Sequence, residues 1–241
     1  MTFLRFASAV VGVLFLASCQ APSLPGSSRG GSVHGDRAGP QGFRTVVIDA
    51  GHGGKDSGAR ARGLTEKTYA LDIAKRVRAE LSPGYRVIMV RSDDRFIELD
   101  ERVRVASRSG DAVLVSIHLN YGRSYRAGPE TYWWRVDSYG LARRLHQNMN
   151  AVCPHESGNA GFVRRRLRLT RNPTIPCVLV ECGYLTNSRD ASSLASSAYR
   201  ERMAEAIARA IKTQSTSGDS GMGPLPRPIY APPSRASDAR G

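Results

Sequence analysis

The residue types best suited to chemistry in this chain sit where apolar runs stop. One run reads Val47-Ile48-Asp49-Ala50 and breaks into Gly51-His52-Gly53-Gly54. A second, Val113-Leu114-Val115-Ser116-Ile117, ends on His118-Leu119-Asn120. A third, Val178-Leu179-Val180, ends on Glu181-Cys182-Gly183. A fourth candidate, Glu66, opens a helical pattern after the loop that begins at His52. In open α/β sheets ligands bind beyond the carboxyl ends of the strands, so residues at such ends can converge. Two histidines and one carboxylate can hold Zn²⁺ and leave a position for water. A second carboxylate, not bound to the metal, can then take a proton from that water and pass it to a leaving amine.

Each residue also has a plainer reading. His52 among glycines can be a loop residue, and a lone histidine at a strand end is more often structural than a ligand. Glu66 alone reads as an acid placed at a helix N-terminus by the macrodipole. Glu181 is harder to dismiss, because it interrupts an apolar run where an unpaired carboxylate is costly to bury. It needs a metal, an arginine partner or a catalytic role.

The elements that must position these residues follow from periodicity. Strands are predicted over 44–50, 85–90, 112–117, 130–135 and 177–180, the last apolar on both faces and therefore central. Helices are predicted over 66–81, 99–106, 139–152 and 200–211, with Leu71, Ala74, Val77 and Leu81 as the inward stripe of the first. Strands alternating with helices predict an α/β three-layer domain, residues 43–212, around a twisted, mainly parallel sheet flanked by helices. Alternation places one of Trp133 and Trp134 in the core.

The flanks differ from the core. Residues 1–18 carry Arg5, an apolar run from Ala9 to Ala17 and then small residues, as in a secretory signal. Leu16-Ala17-Ser18-Cys19 resembles a bacterial lipobox, in which Cys19 is acylated and becomes the first residue of the mature chain. Gln20 is not aspartate, which by the sorting rule for such lipoproteins favours the outer membrane. The expected location is thus the periplasm-facing side of the cell envelope, on a membrane lipid anchor. Residues 19–42, rich in Gly, Pro and Ser, are expected to be a flexible tether. Residues 213–241 hold five of the 13 prolines and are expected to be a disordered tail. Past Cys19 only Cys153, Cys177 and Cys182 remain, an odd number, so at least one thiol is free. Cys177 and Cys182 read as small buried hydrophobes.

The chain has 241 residues with 41% hydrophobic and 23% charged, which excludes collagen-like, fully disordered and polytopic membrane classes. Its net charge is +14, yet only four of its 35 basic residues are lysines, a bias that a G+C-rich genome can also produce. The densest basic run, Arg164-Arg165-Arg166 with Arg168, is either a solvated face or a contact for anionic substrate groups.

Several segments together carry a family resemblance. Val47 to Ala59 (VIDAGHGGKDSGA), Gly63-Leu64-Thr65-Glu66-Lys67, Arg91 to Arg102 (RSDDRFIELDER), Ser116-Ile117-His118-Leu119-Asn120, and Asn172 through Glu181 to Asn187 resemble, in order, the motifs of the Amidase_3 family of zinc-dependent N-acetylmuramoyl-L-alanine amidases. The resemblance spans residues 44–212. It implies a six-stranded sheet, Zn²⁺ held by His52, Glu66 and His118, and Glu181 as general base and acid. The implied reaction is hydrolysis of the amide between N-acetylmuramic acid and L-alanine of peptidoglycan. Leu119, Cys177 and Cys182 depart from the residues usual at their positions but leave every ligand and the base in place. Some relatives insert an occluding helix between the second histidine and the catalytic glutamate, an interval filled here by two predicted strands and a helix. A non-catalytic, cell-wall-binding lipoprotein of the envelope would fit the anchor and the charge, but predicts loss of one of the four site residues. No base-reading motif supports a nucleic-acid partner, and a protein activator is left open.

Overall fold

The computed structural model describes residues 35–154 and 161–237. The expected signal peptide and the lipobox-like segment ending at Cys19 lie outside the described residues. Six strands form the main sheet: β1 (Thr45–Ala50), β4 (Arg86–Met89), β5 (Ala112–Asn120), β6 (Glu130–Trp133), β7 (Phe162–Arg164) and β8 (Cys177–Tyr184). Their order is β4-β1-β5-β8-β6-β7, and every neighbouring pair is parallel except β8 with β6. A small antiparallel pair, β2 (Arg60–Ala61) and β3 (Leu64–Thr65), turns through Arg62 and Gly63 with both φ angles positive. That is the conformation a two-residue hairpin favours.

Helices cover both sheet faces. On one, α1 (Glu66–Leu81), α3 (Tyr139–Val152) and α6 (Ser197–Ser217) pack on Val46, Ile48, Val113, Val115, Val178 and Val180. On the other, α2 (Leu99–Ser107) and the short α4 (Arg168–Arg171) cover Val47, Leu114 and Cys177. The two sets of strand residues alternate, as a pleated strand requires. Burial of α1 falls on Ala70, Ile73, Ala74, Val77 and Leu81, and Leu71 is only half-buried. The predicted stripe was therefore off by one position at its first turn. Trp133 is the core member of the tryptophan pair.

Five elements escape periodicity, among them the two-residue strands β2 and β3. β7 is three residues long at the start of the arginine run, α4 is a single turn, and α5 (Ser188–Ala195) is rich in serine. Neither flank stays loose within the described residues. Gly39 N–H donates to Asp219 Oδ2 at 2.7 Å and Gly42 N–H to the Ser215 carbonyl at 2.7 Å, so residues 35–42 of the expected tether are fixed on the end of α6. The expected tail is corrected more fully. Helix α6 runs on to Ser217, and the chain beyond it is hydrogen-bonded to the domain as far as Arg235. Prolines stop helix and sheet, but they do not stop a segment from being bonded through its carbonyls.

Candidate metal centre

The even-numbered residues of β5 face α2 and α4: Leu114, then Ser116, His118 and Asn120. The same face of β1 carries Val47 and Asp49, and that of β8 carries Cys177, Leu179 and Glu181. Each strand thus turns from apolar to polar at its carboxyl end without leaving this face. His118 and Glu181 are direct neighbours in the β5–β8 register, and Glu130 of β6 lies opposite Glu181.

His52 follows β1 in the left-handed region, with φ 58°. Such a conformation costs a side chain on the order of 1 kcal/mol or more and persists only where surroundings hold it. Two buried arginines do so. Arg102 Nη2 donates to the His52 carbonyl at 2.7 Å, and its Nη1 donates to Asp49 Oδ1 at 2.6 Å. Arg91 donates from Nε to the Ala50 carbonyl and from Nη2 to the carbonyls of Gly51 and Lys67. Ser116 Oγ completes the Asp49 shell at 2.7 Å. Arg91 and Arg102 bound the segment RSDDRFIELDER in the sequence, but only the fold shows that they tie down the loop carrying His52.

The predicted cluster assembles. His52 Nε2 lies 3.0 Å and His118 Nδ1 2.9 Å from the same oxygen, Glu66 Oε1. One donor atom from each of the three residues lies within 4.8 Å of the others, so the group could hold a metal ion. Two imidazoles and a carboxylate are donor types that Zn²⁺ accepts. Glu66 does not cap its helix. Its Oε2 accepts from the Ala59 N–H at 2.8 Å and its Oε1 from the Leu119 N–H at 3.1 Å. Burial acts to raise the Glu66 carboxyl, but hydrogen bonds from His118 and His52 outweigh it and hold the group far below the usual carboxylate range. Burial likewise acts to lower His52, while Glu66 and Asp56 together push it above its ordinary value. Asp56 Oδ2 meets His52 Nδ1 at 2.8 Å and so orients the ring with Nε2 inward.

Two glycines leave room for this geometry. A Cβ on Gly51 would collide with the His118 imidazole, and one on Gly58 would stand 2.6 Å from both Glu66 Oε2 and His52 Cδ2. Glu181, also buried, lines with these residues a cleft of about 470 Å³ whose outer walls include Arg60 and Tyr121. Beside it lies a carboxylate that periodicity did not single out. Glu130 accepts from Tyr132 and Tyr184 hydroxyls at 2.5 and 2.6 Å and from Asn120 Nδ2 at 2.8 Å. The signal was present as Glu130 among apolar and aromatic neighbours. Among the described residues Cys153, Cys177 and Cys182 form no disulfide, and Cys177 and Cys182 are buried.

A mostly parallel sheet with buried His, Glu and His donors and a carboxylate in register beside them has the makings of a metallohydrolase centre. Comparison with known proteins gives the family. Residues 46–213 match Amidase_3, N-acetylmuramoyl-L-alanine amidase. The chain is 37% identical over 171 residues to YqiI of Bacillus subtilis (strain 168), covering 70% of this chain and 83% of that one. It is 36% identical over 170 residues to the N-acetylmuramoyl-L-alanine amidase LytC of the same organism, covering 68% of this chain and 34% of LytC. Among solved structures, the N-acetylmuramoyl-L-alanine amidase AmiC2 of Nostoc punctiforme superposes with a TM-score of 0.67 at 40% identity, over 72% of this chain and 98% of that one. The chain belongs to the Amidase_3 family of N-acetylmuramoyl-L-alanine amidases.

Proposed function

We propose that this chain hydrolyses the amide between N-acetylmuramic acid and L-alanine in peptidoglycan, with Zn²⁺ at His52, Glu66 and His118. The observation that carries the reading is the meeting of His52 Nε2 and His118 Nδ1 at Glu66 Oε1, with Glu181 in register beside His118. Zinc, when bound, supplies Lewis acidity that makes water a better nucleophile and polarises a carbonyl. The protein supplies the rest. Glu181 takes the proton of the attacking water and returns it to the alanine nitrogen, so one carboxylate serves as base and then acid. Asp56 keeps the His52 ring in its donor orientation. Arg91 and Arg102 hold the His52 loop in its left-handed turn, so the ligand does not have to be ordered at each turnover.

We also propose, from the lipobox-like Leu16-Ala17-Ser18-Cys19 followed by Gln20, that the mature protein carries a lipid at Cys19 and faces the periplasm from the outer membrane. Fractionation of cells carrying Cys19→Ala tests the anchor: release into the soluble fraction is expected, and a variant that stays membrane-bound refutes it. The activity is tested by mass spectrometry of sacculi digested with the zinc-loaded protein. Stem peptides with a free L-alanine amine are expected, whereas products still joined to muramic acid would refute the reading.

A further inference from the structure

Past the segment that matches the family, the chain does something the family resemblance does not account for. It leaves α6 through Gly218, Gly221 and Gly223, all at positive φ, and continues across the α4 side of the domain. Residues 224–237 contain five prolines and so present carbonyl acceptors with few N–H donors. The surface beneath is the arginine run. Arg164 Nη1 donates to the Arg227 carbonyl at 2.7 Å, Arg171 Nε to the Ala231 carbonyl at 3.0 Å, and Arg168 Nη2 to the Arg235 carbonyl at 2.9 Å. Asn172 exchanges two hydrogen bonds with Ser234, and Ser234 Oγ donates to the Arg166 carbonyl, which leaves Ser234 buried. Of the four arginines in the run, Arg164, Arg166 and Arg168 donate to this acceptor-rich segment, while Arg165 lies over the Tyr132 ring.

This segment ends at the metal centre. Ser237 lines a cavity of about 200 Å³ together with Phe96, Glu98, Leu99 and Leu169, and His52 and His118 form its inner wall. The larger cleft meets the same two histidines but is bounded by Gly58, Arg60 and Tyr121 instead. The donor cluster thus stands between two cavities, and the C-terminal segment walls only the smaller one. Its anchoring is polar: Leu225, Ile229 and Tyr230 are exposed. Hydrogen bonds to surface carbonyls compete with water, so such a strap can be displaced without unfolding the core.

We propose that residues 224–237 are a specificity strap that narrows the approach to the metal centre along the smaller cavity and favours short, soluble muropeptides over polymeric wall. The proposal rests on the amidase reading. Within polymeric peptidoglycan both groups joined by the amide continue, the glycan as a strand and the peptide into cross-links, so chain must leave the site along both approaches. A short fragment needs only the open cleft.

The test compares the full chain with a chain ending at Gly223, which keeps the buried Met222. Specificity constants, kcat/KM, are measured on intact sacculi and on a soluble disaccharide-peptide. Truncation is expected to raise the sacculus-to-fragment ratio about fivefold or more, the lower end of typical coupling between sites. Ser237→Trp in the full chain, which enlarges the wall, is expected to lower that ratio. An unchanged ratio in both variants overturns the proposal. Hydrogen exchange at the amides of residues 96–102 is followed in parallel and needs no turnover. Should no form cleave either substrate, the amidase reading fails; unchanged exchange on truncation would then overturn the strap as well, and faster exchange would support its contact with the cavity.

Discussion

The two faces of the sheet are built from the same strands and do opposite things. Toward α1, α3 and α6, β1, β5 and β8 present Val46, Ile48, Val113, Val115, Ile117, Val178 and Val180, apolar from one end to the other. Toward α2 and α4 they begin as Val47, Leu114 and Cys177 and finish as Asp49, His118 and Glu181. The first face is a core and the second a core that opens into a site. The difference lies in cover: helices of 16, 14 and 21 residues lie over the first face, while a nine-residue and a four-residue helix leave the strand ends of the second to a cleft. A parallel sheet can therefore keep rigidity and chemistry on the same strands by dividing them between alternate residues.

That division is open to direct attack. The largest effect is expected from His118→Ala, which removes the one of three donors that the polar face supplies. Zinc occupancy after dialysis should collapse while the fold persists by circular dichroism, and full occupancy would show that the ligands lie elsewhere. Arg102→Met strikes the support of the same face. It strands the buried Asp49 carboxylate, and breaking such a pair costs about 3–5 kcal/mol, readable as a lower urea midpoint. Glu181→Gln should leave stability and zinc in place yet slow turnover at least about a hundredfold. Near-normal turnover would remove Glu181 from the mechanism.

The apolar face should respond differently. Ile48→Val deletes one methylene from a fully buried site and should cost about 0.5–1.5 kcal/mol with kcat unchanged in the folded protein. A large fall in kcat would mean that the two faces are not independent. The smallest effect belongs to the rim of that face, where Asp72 bonds Arg76 and Arg200 and so joins α1 to α6. Burial opposes ionisation of Asp72, but the two arginines prevail and its carboxyl is held below its ordinary value. A lowered carboxyl stabilises the fold above its unfolded pKa and loses that contribution as pH falls through the folded one. Since Asp72 is partly exposed, Asp72→Asn should cost only a few tenths of a kcal/mol at pH 7, and less as the pH falls below 4, in urea titrations.

How much of this was legible before folding varies by residue. His52, Glu66, His118 and Glu181 could be named because each breaks a pattern, a histidine after a glycine turn or a carboxylate in an apolar strand. Helices α1 and α3 could be bounded from periodicity alone, since both are long and flanked by clear breaks. Glu130 was less visible: one acid at a strand start looks ordinary until Tyr132, Tyr184 and Asn120 converge on it. The arginine run was ambiguous for a related reason. A guanidinium has the same appearance in sequence whether it meets water, substrate or a carbonyl from the other end of the chain.

Local chemistry by itself determined five of the six strands of the main sheet and the long helices, the glycines beside His52, and the four residues that break apolar or helical patterns. These depend on periods of two and 3.6 residues and on backbone preference, which act over a few neighbours. Only the tertiary structure decided that His52 Nε2 and His118 Nδ1 share Glu66 Oε1, that Arg91 and Arg102 hold the loop between them, and that the proline-rich end is bonded over α4. Those contacts join residues from 14 to 60 positions apart. Their partners are chosen by how whole elements pack, and no local pattern along the chain encodes which donor will face which acceptor.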